Sequence, residues 1–92
     1  MRLTFDAEKR ERTLRERGLD FARAEELFAG PIASFIDVRR NYGEERTMTV
    51  GYLDERLTII VWTKRMDERR VISMRHCNER EKRRYEAALA RS

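Results

Sequence analysis

The sequence predicts an α+β domain of two layers: an antiparallel β-sheet of three to five strands packed against two N-terminal helices and one C-terminal helix. Three observations predict this class. Apolar residues recur at helical spacing before residue 30, they alternate or run on between residues 32 and 74, and helix-capping signals return at residue 78. The connections Asp54-Glu55-Arg56 and Met66-Asp67-Glu68 are short and polar, so consecutive strands should pair as an antiparallel meander.

Each element has its own signal. Met1–Phe5 alternates apolar and polar residues and reads as a short strand. Asp6 is placed to cap a helix from Ala7 to Arg17, and Gly18 can take the left-handed position that ends it. Asp20 caps a second, short helix whose Phe21, Ala24, Leu27 and Phe28 form one apolar stripe, stopped by Gly30-Pro31. Strands are expected at Ile32–Val38, at Thr47–Tyr52, at Leu57–Thr63 and at Val71–Met74. The third of these is nearly continuous in apolar residues, the pattern of a strand covered on both faces. Asn78 then opens a helix reaching Arg91, with Glu81 at its third position completing a capping box.

Composition bounds the function. Ninety-two residues make one domain with one modest core, and no linker or internal repeat divides it. One cysteine, Cys77, and one histidine, His76, exclude a disulfide framework and a Cys/His zinc cluster. No apolar run approaches the ~18 residues of a membrane span, and no signal-peptide core is seen, so a soluble, cytoplasmic protein is expected, with no membrane partner. The net charge is +4, and it is unevenly placed. Residues 1–61 carry 11 basic and 12 acidic groups, whereas residues 62–92 carry 10 basic and 5 acidic ones. Eighteen of the 21 basic residues are Arg, whose fork suits phosphate oxygens, although an Arg-rich codon usage would give the same bias.

The helix Ala7–Arg17 has almost no apolar face. Its Lys9, Arg10, Arg12, Arg15 and Arg17 alternate with Glu8, Glu11 and Glu16, which favours a solvated, self-neutralising surface over a ridge for RNA. The last helix is more basic, with Arg80, Lys82, Arg83 and Arg84 close together and a narrow seam of Tyr85, Ala88 and Leu89. Tyr85 either packs in that seam or offers its ring or hydroxyl to a nucleotide. The stretch Arg69 to His76 is the richest in chemistry, because metal-free RNA cleavage needs proton transfer beside clustered cations. Lys64, Arg65 and Arg75 can supply cations there, and His76, the one side chain whose unperturbed pKa lies near neutrality, is either a proton-transfer group or a structural or surface residue. Glu45 is either a general base or a loop-fixing residue. Cys77 lacks the partners of a thiol nucleophile, and no carboxylate pair with a His has metal spacing.

The strings Phe5-Asp6 with Lys9, Gly18-Leu19-Asp20-Phe21, Phe28, Gly43-Glu44-Glu45-Arg46, Gly51, Thr63, Arg65, and Arg70-Val71-Ile72-Ser73-Met74-Arg75 through Glu81 to Tyr85 resemble the BrnT toxin family. The resemblance implies a RelE-like fold and a metal-independent endoribonuclease, with no cofactor, that cleaves cellular RNA and so inhibits translation and growth. It further implies neutralisation by a BrnA-type antitoxin, whose ribbon-helix-helix domain binds DNA, so that this chain meets DNA only indirectly. It also implies an exposed apolar patch, including Ile60 and Trp62 if these face away from the helices, that is shielded either by the antitoxin or by self-association of the free toxin as a homodimer. Carried over by position, the resemblance places Arg65, Arg75 and Tyr85 in the basic cleft, with Lys9 and Glu45 beside them; joined to the reading of the residues, this gives a candidate catalytic set of Arg65, Arg75, His76, Tyr85 and Glu45, with Lys9, Lys64, Arg80, Arg83 and Arg84 on the RNA. The chain has Thr13, Arg17 and Trp62 where members often have Asn, His and His, which leaves His76 as its one imidazole. The alternatives are a catalytically degenerate antitoxin-binding module and a non-catalytic RNA- or DNA-binding protein.

Overall fold

The computed structural model describes residues 1–91. Strand β1 (Arg2–Thr4) leads into helix α1 (Ala7–Arg17), then a 3-10 turn (Phe21–Arg23) that runs on into the short helix α2 (Ala24–Phe28). Strands β2 (Ile32–Ile36), β3 (Thr47–Leu53), β4 (Arg56–Arg65) and β5 (Glu68–His76) follow, and helix α3 (Glu79–Ala90) closes the chain.

The caps fall where the sequence puts them. The Asp6 carboxylate accepts from the backbone N–H groups of Glu8 and Lys9 at 2.8 and 3.2 Å, and Gly18 ends α1 at φ 71°. At α3 the Asn78 side chain accepts from Glu81 N–H at 2.8 Å while Glu81 accepts from Asn78 N–H at 3.0 Å, a closed capping box.

The sheet has the order β1-β5-β4-β3-β2. Strands β2 to β5 form the expected antiparallel meander. The sheet is nevertheless mixed rather than wholly antiparallel, because β1 lies parallel to β5, with Arg2, Leu3 and Thr4 opposite Glu68, Arg69 and Arg70. A three-residue strand paired to a partner more than sixty residues away leaves no local pattern that fixes its direction.

The expected two layers are also corrected, to three. Side chains alternate across β4: Ile60 and Trp62 pack with Leu19, Phe21, Ala24, Leu27 and Phe28, whereas Leu57, Ile59 and Val61 pack with Tyr85 and Leu89. The α2 segment therefore covers one face and α3 the other. Gly51 permits the first contact, since a Cβ there would stand 2.9 Å from the Leu27 side chain. Ile60, expected on an exposed patch, is fully buried under α2, and Trp62 is half-buried beside Phe28, ring centroids 5.9 Å apart and edge to face.

An irregularity in β5 shapes the site. Val61 stands opposite Ser73 and Trp62 opposite Val71, so Ile72 is an extra residue. The bulge lets Val71 and Met74 both enter the core under α2 while Ile72 joins the cluster under α3. Beyond Arg70 the outer edge of β5 has no strand neighbour from β1. There α1 takes over, and Arg17 Nη1 donates to the Met74 carbonyl at 2.8 Å. Helix α1 buries no residue of its own. It is held by that bond, by the forked pair of Arg10 with Asp20 at 2.7 and 3.1 Å, and by Arg10 over the Phe5 ring.

Candidate functional site

One face of α1 is polar at helical spacing: Lys9, Arg12, Thr13, Glu16 and Arg17 recur at i, i+3, i+4, i+7 and i+8. Together with Arg40, Tyr42 and Arg46 of the β2–β3 loop and Ile72 and Ser73 of the β5 bulge, these residues line a cleft of about 440 Å³. Five cations and a single carboxylate, Glu16, line it. Such a surface attracts anions and repels its own members, so something must hold it together.

For the loop, that is Asp37. Its side chain is fully enclosed, and it accepts from Arg39 N–H at 3.2 Å, from Arg39 Nε and Nη2 at 2.8 Å each, and from the Tyr42 hydroxyl at 3.1 Å. These bonds hold its carboxyl far below the usual range, the Arg39 bond most of all, against the opposing effect of burial. The Asp37 N–H is bonded to the Arg46 carbonyl, which closes the base of the loop at 2.8 Å. Tyr42 in turn receives the Arg46 guanidinium over its ring, 4.1 Å from the centroid, with that of Arg40 at 5.8 Å. Arg46 is also paired with Glu44 at 3.3 Å. The loop is thus a knot around one buried carboxylate that turns two arginines toward α1.

Across the cleft, Lys9 is half-buried. Its ammonium is easier to deprotonate than an ordinary lysine's, first because burial strips its hydration and then because Arg46, Arg12 and Arg70 repel it, with Asp6 partly offsetting them. A desolvated amine among guanidinium groups is suited both to hold a phosphate and to give up a proton there.

The residues expected from sequence are spread more widely. Lys9 alone lines this cleft. Arg75 lies on the α3 side of the sheet, opposite Ile59 on β4, and is engaged by Glu81 through a two-pronged pair at 2.8 and 2.6 Å. Arg65, at the end of β4, is largely exposed and stands 3.7 Å from Glu44, which bridges it toward Arg46. Glu45 is exposed, and its backbone carbonyl accepts from the Thr63 hydroxyl at 2.9 Å. Tyr85 is half-buried, its ring tilted against Phe35 with centroids 5.6 Å apart.

His76 belongs to a separate hollow of about 150 Å³ with Glu55, Arg56, Leu57, Cys77, Glu79 and Lys82. Its Nδ1 is 3.4 Å from the Thr58 hydroxyl, and its pKa is lowered by burial and by Arg56. Burial raises the neighbouring Cys77 thiol to about 11, which leaves it unreactive. Lys64 is exposed near the end of β4, and Arg80, Arg83 and Arg84 are exposed along α3. Sequence reasoning did not single out Arg12, Glu16, Arg17, Arg40, Tyr42 or Arg46 as site residues. The one available signal was the i, i+3, i+4, i+7 repeat of polar residues on α1, masked by the acids on its other faces. Among the described residues no group of His, Cys, Asp and Glu is arranged to hold a metal.

The model of the BrnT family, described as the ribonuclease toxin of a type II toxin–antitoxin system, matches residues 5–81, which include every cleft residue. No curated protein sequence matches the chain significantly. With the family pattern running from Phe5 through both walls and the floor of the cleft to the Glu81 that holds Arg75, the chain belongs to the BrnT family of type II toxin–antitoxin ribonuclease toxins.

Proposed function

We propose that the chain is an endoribonuclease whose α1–loop cleft seats the scissile phosphodiester of RNA. The observation that carries this reading is the gathering of Lys9, Arg12, Arg17, Arg40 and Arg46 around one hollow whose lining includes a single carboxylate, Glu16. In-line cleavage needs no metal when protein cations stabilise the crowded phosphorane. Glu16 accepts the proton of the ribose 2′-hydroxyl, and the 2′-oxygen bonds to phosphorus. Arg12, Arg40 and Arg46 stabilise the negative charge that gathers on the phosphoryl oxygens. The P–O5′ bond then breaks, and the Lys9 ammonium protonates the departing 5′-oxygen, leaving a 2′,3′-cyclic phosphate and a 5′-hydroxyl. The lowered pKa of Lys9 makes it the stronger acid for that last transfer.

Arg65, bridged to Arg46 through Glu44, continues the cationic track past the cleft. Lys64 and the exposed Arg80, Arg83 and Arg84 add long-range attraction for the polyanion. In the cell this activity degrades RNA, arrests translation and growth in the cytoplasm, and is held in check by a BrnA-type ribbon-helix-helix antitoxin. The test is incubation of the purified chain, freed of its antitoxin, with RNA in the presence and absence of a chelator. Cleavage that persists with chelator and falls at least a hundredfold in Lys9→Met supports the reading. Intact RNA with a folded, antitoxin-free chain refutes it.

A further inference from the structure

The other face of the sheet carries a cation that, among the described residues, has no carboxylate within ion-pair distance. Arg69 is half-buried, its guanidinium 3.6 Å from the Phe28 ring centroid and 4.7 Å from that of Trp62. Among the described residues its Nε has no hydrogen-bond partner. Burial makes Arg69 easier to deprotonate, and Glu25 offsets this only from a distance. A desolvated charge without a carboxylate is costly, and an arriving carboxylate recovers that cost.

The register sets what lies beside it. Ile36 stands opposite Thr47, Thr47 opposite Trp62, and Trp62 opposite Val71, so these four share one face. Lys64 and Arg69, paired with each other two residues along the same strands, share it too. The five-residue α2 covers the half of this face over Gly51, and Ile36 is left 51% exposed. The result is an uncharged row, with apolar Ile36 and Trp62 on either side of Thr47, ending at two cations. A nucleotide is the poorer occupant, because Arg69 already lies over both aromatic rings and the row itself is uncharged.

We propose that the Ile36–Trp62–Arg69 face is a protein-docking surface whose occupant is an apolar segment of a partner protein carrying a carboxylate that pairs with Arg69. The choice of partner rests on the toxin family, which implies an antitoxin, and not on the proposed chemistry of the cleft. The cleft has its Ile72 floor on the α3 side and the docking face lies on the α2 side, so RNA cleavage and partner affinity read different surfaces, Lys64 being the one residue counted toward both.

The experiment co-expresses the full chain with the protein encoded by the reading frame adjoining its gene and measures their affinity after separation. Arg69→Glu is expected to weaken binding at least tenfold. Ile36→Lys, at a half-exposed edge position that tolerates a long side chain, is expected to do the same with an unchanged unfolding midpoint. Full affinity in both variants overturns the proposal, as does the failure of the wild-type chain to bind that protein. So does a loss of RNA binding, in place of partner binding, in the two variants. Loss of RNA cleavage by the wild-type chain would instead count against the cleft alone.

Discussion

Replacing Glu81 by Gln separates the charge of a group from its shape. Glu81 closes the α3 capping box and holds Arg75 through bonds of 2.8 and 2.6 Å. Glutamine keeps an acceptor for the Asn78 N–H and loses the anion opposite Arg75. The Arg75 pair, followed by the Asn78 bond, lowers the Glu81 carboxyl from 4.5 to about 2, against the opposing effect of burial. Taken whole, that shift corresponds to roughly 3–4 kcal/mol at ~1.4 kcal/mol per unit. Because the Arg75 side chain is 38% exposed, solvent screens the pair, and a loss of about 1–2 kcal/mol is expected at pH 7. The sign follows from a carboxyl lowered on folding. Its contribution is complete above the unfolded value near 4.5 and disappears as pH falls toward 2. Urea unfolding of the wild type and Glu81→Gln at pH 7, 4 and 2.5 reads this directly. The two free energies should converge at the acid end with similar slopes against urea. A difference below about 0.3 kcal/mol at pH 7, or one unchanged across the range, would refute the assignment of Glu81 and Arg75 to holding α3 on the sheet.

Other perturbations test the loop and the fold. Asp37→Asn removes the charge from the enclosed acceptor of Arg39 and Tyr42. Since Arg39 is 57% exposed and regains water, a cost of about 2 kcal/mol is expected by chemical denaturation, with weaker RNA binding as Tyr42 and Arg46 lose their anchor. Gly51→Ala forces a methyl to within 2.9 Å of Leu27, which is fully buried, and thermal melting should show a loss of about 1–3 kcal/mol. Glu55 sits at φ 65° in the β3–β4 turn, so Glu55→Gly should raise the midpoint by a few degrees, about 0.5 kcal/mol, after the added freedom of the unfolded chain.

Much of the fold was legible because its local signals are strong. Helix α1 has the bounds expected from Asp6 and Gly18, and α3 starts at its capping box. The strand ends were less so. Strand β5 runs from Glu68 to His76 rather than Val71–Met74, because its charged ends are held by ladder bonds to β4 and, at one end, to β1, and hydropathy does not record these. Strand β2 stops at Ile36, two residues early, where Asp37 turns into its knot. The apolar run Leu57–Val61 already carried the sign of helices on both faces, yet the helix order alone favours a single layer of helices.

The site was harder to read for a physical reason. Whether α1 presents a neutral or a cationic surface depends on which side faces the sheet, and Glu8 and Glu11 do not line the cleft while Lys9, Arg12 and Arg17 do. Arg40 and Arg46 are ordinary loop residues until Asp37 orients them. Arg75 and His76 are adjacent in sequence, but neighbours on a strand point to opposite faces, and here one meets Glu81 while the other meets Thr58.

The most direct measurement compares cleavage of one RNA by Arg46→Ala and by Arg75→Ala, each assayed where it is folded, with the termini of the products identified. Arg46→Ala is expected to lose at least a hundredfold in kcat/KM while Arg75→Ala, though less stable, stays within about threefold of wild type, with products ending in 2′,3′-cyclic phosphates. Full activity in Arg46→Ala with its abolition in folded Arg75→Ala would move the chemistry away from the α1–loop cleft.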